Sequence, residues 1–134
     1  MARKAARKEI QLASKVADLS LAAPTVIAVR LAKIGKGGAK PNRRTQAEIR
    51  KMSQEKAAAT TESWTAIAFA GARLGQQLMS LGMAAIWQPH RYPPTEVAVR
   101  AARLGYAALL DGSNAGIEPY RKRARSNARR LTKK

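Results

Sequence analysis

No proline interrupts the chain between Pro41 and Pro89, and the residues between them are mostly helix formers with alanine leading. Thr45 opens this run with a capping box, because Glu48 sits three residues on and reaches back to the Thr45 N–H. A helix from 46 to 88 would be about 65 Å long at 1.5 Å per residue. Gly71, Gly75 and Gly82 weaken its second half without stopping it. A rod of that length in a chain of 134 residues predicts an all-α, elongated molecule with a long central helix, about 45–88, rather than a compact globule.

The flanking segments fit the same class. Residues 9–34 repeat Ile10, Ala13, Val16, Ala17 and Ser20, then Ile27, Leu31 and Ile34, at helical steps. Pro24 is expected to kink or divide this helix. GKGGAKPNRR (35–44) reads as a flexible basic linker, without the spacing of a phosphate-binding loop. QPHRYPP (88–94) is a hard stop. Thr95–Leu110 forms a shorter helix that Asp111-Gly112 ends, and a basic segment starting near Pro119 forms the last one. No strand pattern occurs. The expected organisation is an N-terminal amphipathic segment (1–34), the linker (35–44), a central helical region (45–111) and a basic tail (112–134).

Hydrophobic residues make up 46 % of the chain but aromatics only 4 %, so helices form readily around a thin core. Cysteine is absent, which suits a reducing compartment. Glu9, Lys15 and Asp18 interrupt any signal-like apolar region, and the expected location is cytoplasmic. The net charge of +18 is uneven, with four of the 26 cations in residues 3–8 and eight in 121–134. Such flexible basic ends favour polyanions or anionic surfaces.

The stretch SWTAIAFAGARLGQQLMSLGMAAIW (63–87) has one charge, Arg73, and a tryptophan at or beside each end. On a helix, Arg73, Gln76, Gln77 and Ser80 share one face. Trp64, Ile67, Gly71, Leu74, Leu78, Leu81 and Ala85 make a heptad-like seam, widened by Phe69, Met79, Met83, Ile86 and Trp87. A transmembrane span would carry Arg73 and two glutamines into hydrocarbon, at about 2.5–3.5 kcal/mol for arginine alone. The pattern belongs at a boundary between water and something apolar, and its seam favours coiled-coil-like self-association.

Nothing points to catalysis, a cofactor or a metal. His90 is the single histidine and lies in a proline-flanked turn. Glu48, Glu55 and Glu62 repeat at seven and read as a solvated face. The tail is more informative. Arg121, Lys122, Arg123, Arg125, Arg129, Arg130, Lys133 and Lys134 could meet a phosphate backbone without reading sequence, since no aromatic is interleaved for stacking.

KEIQLASKVADLSLAAPTVIAVRLAK, the capped polar helix leading into ESW and an Ala/Leu/Gln/Met-rich helix, and GIEPYRKRARSNARRL together resemble the phasin-type proteins of polyhydroxyalkanoate granules. The likeness spans about residues 8–132 and is weakest over 88–116. It implies a non-enzymatic, granule-associated protein whose helices coat a polyester surface and form homo-oligomers. In some similar proteins a basic C-terminal region attaches granules to DNA, although here the tail is short and arginine-rich. A nucleoid-associated DNA-binding protein and a small membrane-associated helical protein are the alternatives.

Overall fold

The computed structural model describes residues 2–35 and 43–132. Positions 36–42 of the expected linker, and Lys133 and Lys134, lie outside them. The described residues form three helices, α1 (Ala2–Gly35), α2 (Arg43–Trp87) and α3 (Pro94–Thr132), and contain no strand. The all-α class stands. Helix α2, at 45 residues, is about 67 Å long.

Helix α3 lies between the other two, which barely touch each other. Lys8, Lys15 and Asp18 of α1 meet Asp111, Glu118 and Arg121 of α3 in ascending order, so these helices run parallel. Helix α2 runs antiparallel to α3, with Ser63 against Gly116, Thr60 against Tyr120 and Glu55 against Asn127. The α2–α3 turn is closed by Arg91 and Tyr92 N–H groups donating to the Gln88 carbonyl. The Pro93 carbonyl accepts from Val97 N–H, and Pro94 takes the first helical position, where its missing donor costs nothing.

Two expected breaks are absent. Helix α1 continues through Pro24, which faces solvent. Helix α3 continues through Asp111-Gly112 and Pro119, so the expected end at 111 and the 111/112 boundary both fall inside one helix. Packing overrides the local signal. Gly112 and Gly116, one turn apart, are buried against α2. A Cβ on Gly112 would lie 3.7 Å from Ala70 Cβ, and one on Gly116 would lie 3.1 Å from Ile67 Cδ1. Pro119 cannot donate to the carbonyl four residues back. The carbonyls on either side of that one receive donors from other helices, Lys15 Nζ to Asn114 O (3.1 Å) and Ser63 Oγ to Gly116 O (2.6 Å).

The interior is thin and half polar. Among the described residues the buried hydrophobic ones are Ala59 and Leu110, and the buried polar ones are Ser63 and Asn114. Asn114 donates to the carbonyls of Lys8 and Leu110, tying α1 to α3. Helix α2 alone, at 45 residues, is far longer than a compact globule of this chain length is wide, about 30 Å. The expected elongation is therefore present.

The glycines give a stability test. Gly112→Ala makes only ordinary van der Waals contact and removes a helix-interior glycine, so it should stabilise by up to about 1 kcal/mol. Gly116→Leu overpacks against Ile67 and should destabilise by about 1–3 kcal/mol. Urea unfolding of both variants gives opposite shifts in midpoint if α2 packs as described.

Candidate surface-binding faces

The residues that helix α2 turns toward α3 are mostly small, and most of its large apolar ones face away. Ala59, Ser63, Ala66 and Ala70 are buried or half-buried, as are Leu74 and Leu81 further along. Of the ten expected surface-binding residues, Leu74 and Leu81 are therefore half spent on the fold. Trp64, Ile67, Phe69, Leu78, Met79, Met83, Ile86 and Trp87 remain exposed, the last at 76 %. Ile67 is divided, since its tip reaches Gly116 while 42 % of the residue stays accessible. The polar stripe Arg73, Gln76, Gln77 and Ser80 is exposed as well. The seam expected to drive self-association is thus partly occupied by α3 within one chain.

Exposed apolar surface also covers α1, which the sequence reading did not select as a site. Ile10, Val16, Ile27 and Leu31, from the periodic set of this helix, face solvent, and so does Leu21. Arg3–Ala32 is long and apolar enough to cross a membrane by length and composition, and none of its most apolar window is buried.

The face that α1 turns inward mixes half-buried Leu12, Leu19, Val26 and Val29 with charged side chains. Lys8 pairs with Asp111 at 2.7 Å, Lys15 with Glu118 at 3.0 Å, Asp18 with Arg121 at 3.1 Å and Arg30 with Glu55 at 3.4 Å. Glu118 also binds Arg121 at 2.8 Å. Hydrogen bonds from Arg121 and then Lys15 hold the Glu118 carboxyl at about 2, against a partial burial that pushes it up. Burial also pushes Glu55 upward, yet hydrogen bonds from Asn127 and Arg30 leave it below its ordinary value. Arg123 grips Glu62 with two bonds, at 2.6 and 2.9 Å, and lowers its carboxyl pKa. Glu55 and Glu62, expected on a solvated face, instead join helices.

These pairs remove part of the expected polyanion site. Arg121 and Arg123 are engaged with carboxylates. Lys122, Arg125 and Arg129 line, with Arg121 and Ser126, a groove of about 300 Å³, and Arg130 is exposed nearby. A second basic groove, of about 570 Å³, was not foreseen. It lies on the first turns of α2, where Arg43, Arg50 and Lys51 alternate with Gln46 and Gln54. Antiparallel pairing brings it to the same end of the molecule as the α3 tail. Between the helices at that end, Val26, Leu31, Ile49, Met52 and Tyr120 line an apolar cleft of about 630 Å³.

Among the described residues no group of three His, Cys, Asp or Glu side chains could hold a metal. Comparison with family models, curated proteins and solved structures finds no match.

Acid should loosen α1 from α3. The Glu118 pKa is depressed from 4.5 to about 2, so its contribution is complete above about 4.5 and is lost as pH falls toward 2. Thermal melts of the wild type should therefore weaken across that window. Glu118→Gln should show a flatter acid limb and a lower melting point at neutral pH. An acid limb of unchanged depth would show that another carboxylate carries the transition.

Proposed function

We propose that this chain is a non-enzymatic coat protein of an apolar, water-insoluble particle, the polyhydroxyalkanoate granule being the particle that the phasin resemblance implies. The observation that carries the reading is the inverted distribution of hydrophobic side chains. Among the described residues seventeen large hydrophobic ones are exposed, against two buried hydrophobic ones. Exposed apolar surface on this scale marks an interaction surface in a soluble chain. The outward face of α2, from Trp64 to Trp87, is the proposed contact, and its polar stripe is the proposed water-facing edge. Self-association through the same face in the absence of a granule belongs to the proposal, as does a cytoplasmic, granule-bound location.

Met79 and Ile86, each 73 % exposed, point away from α3, so charging them leaves the fold intact. Met79→Glu with Ile86→Glu removes two side chains that could each contribute up to about 1.5–3 kcal/mol on full burial. Helix content and melting should be unchanged, while the protein moves from the granule pellet to the supernatant. A folded double variant that still pellets would remove α2 as the contact.

The converging cations support a second reading, non-specific attachment to a nucleic-acid backbone. If the α2 and α3 grooves act as one surface, Arg43→Ala with Arg50→Ala should reduce the salt slope of DNA binding by about 2. Lys122→Ala with Arg125→Ala should do the same, at a slope of about 0.9 per phosphate contact. Equal losses support a shared surface. No change from the α2 pair confines binding to the tail, and a wild-type slope near zero ends this reading.

A further inference from the structure

We infer that the outward face of α1, from Ile10 to Ala32, is a separate contact surface for an anionic lipid layer, on which the helix lies in the plane of the headgroups. It uses a different helix and a different partner from the granule reading, and it stands or falls apart from it.

Fourteen residues between 10 and 32 are exposed, and none of them is charged. The three charged residues of this span, Lys15, Asp18 and Arg30, are all turned into ion pairs with α3 or α2. Soluble surfaces carry charge on roughly a quarter to a third of their residues, so an uncharged face about 33 Å long is inside out for water. Its centre is the stripe Ile10, Ala17, Leu21, Pro24, Ala28 and Leu31.

The N-terminal margin of this face points to the partner. Exposed Arg3, Lys4 and Arg7 precede it. An uncharged face with a cationic margin at its N-terminal end fits a layer with an apolar interior and an anionic surface. Spanning such a layer would strip Lys15, Asp18 and Arg30 of their partners and carry them into hydrocarbon. Lying in plane, with α3 on the water side, keeps every pair. A second copy is a poorer fit, since small residues and Pro24 interrupt the stripe and give few knobs for a coiled coil.

Flotation of the full chain with vesicles tests this. It should float with phosphatidylcholine vesicles containing phosphatidylglycerol and far less with phosphatidylcholine alone. Leu21→Glu with Ala28→Glu, both opposite α3, should lower partitioning by about tenfold or more. Because the chain has no cysteine, a single Leu21→Cys carrying an environment-sensitive dye reads the face directly and does not depend on the folding of the charged variant. Its emission should shift to the blue on the anionic vesicles only. Absent flotation, equal binding by the charged variant, or a blue shift that grows with protein concentration without vesicles would each overturn the inference. None of these results bears on whether Met79→Glu with Ile86→Glu leaves the granule.

Discussion

A four-residue charge cluster decides which way α1 faces. Lys15 binds Glu118, Glu118 binds Arg121, and Arg121 binds Asp18, so the signs alternate across the α1–α3 contact. Single exposed ion pairs contribute about 0–1 kcal/mol, less than burying one leucine. Rolling α1 over would bury Ile10 and Leu21 but expose the half-buried Leu12, Leu19 and Val26, so apolar burial alone does not fix its orientation. The cluster itself is not fully exposed. The Lys15, Glu118 and Arg121 side chains keep only 21–24 % of their accessibility. Rolling the helix would leave Glu118 and Arg121 half-buried without their α1 partners, and stranding charges in a fully buried site costs about 3–5 kcal/mol. Asn114, donating to the Lys8 carbonyl, fixes the register of the same contact. The outward apolar face of α1 is thus a consequence of what its inward face holds.

The helical class was legible because alanine and leucine at three- and four-residue steps leave few alternatives. The breaks were not. Pro24, Asp111-Gly112 and Pro119 are stop signals only when nothing outside the helix compensates. In α3 the stretch around Pro119 is held by contacts to the flanking carbonyls, from Ser63 and Lys15, which are 53 and 99 residues away from them. Glycine at 112 and 116 reads locally as a turn, yet in the fold it provides room for Ala70 and Ile67.

The faces were partly legible. Periodicity identified the Ile10–Leu31 stripe and the Trp64–Trp87 surface, but period alone does not say what covers a stripe. The α3 tail misled in the opposite direction. Arg123 looks free in sequence because its partner Glu62 is 61 positions away, and Arg121 joins, besides nearby Glu118, Asp18 at 103 positions. Arg43 falls within the expected linker, and nothing in the sequence singles out Arg50 and Lys51, since only antiparallel pairing brings them to the same end as the tail.

The contact between α2 and α3 has a further property. It is made by Ala59, Ser63 and Ala70 against Gly112 and Gly116, small residues that let two backbones approach, with a serine hydroxyl directed at a carbonyl. A core of leucines owes its cohesion to expulsion from water and loses that drive when the medium itself becomes apolar. Close backbone packing and interhelical hydrogen bonds do not depend on water in this way, and they hold helices together within lipid. The ion pairs under α1 strengthen as the local dielectric falls. The joints of this fold are therefore of kinds that persist when one side of the molecule exchanges water for oil, so its tertiary arrangement need not be rebuilt on crossing from one solvent to the other.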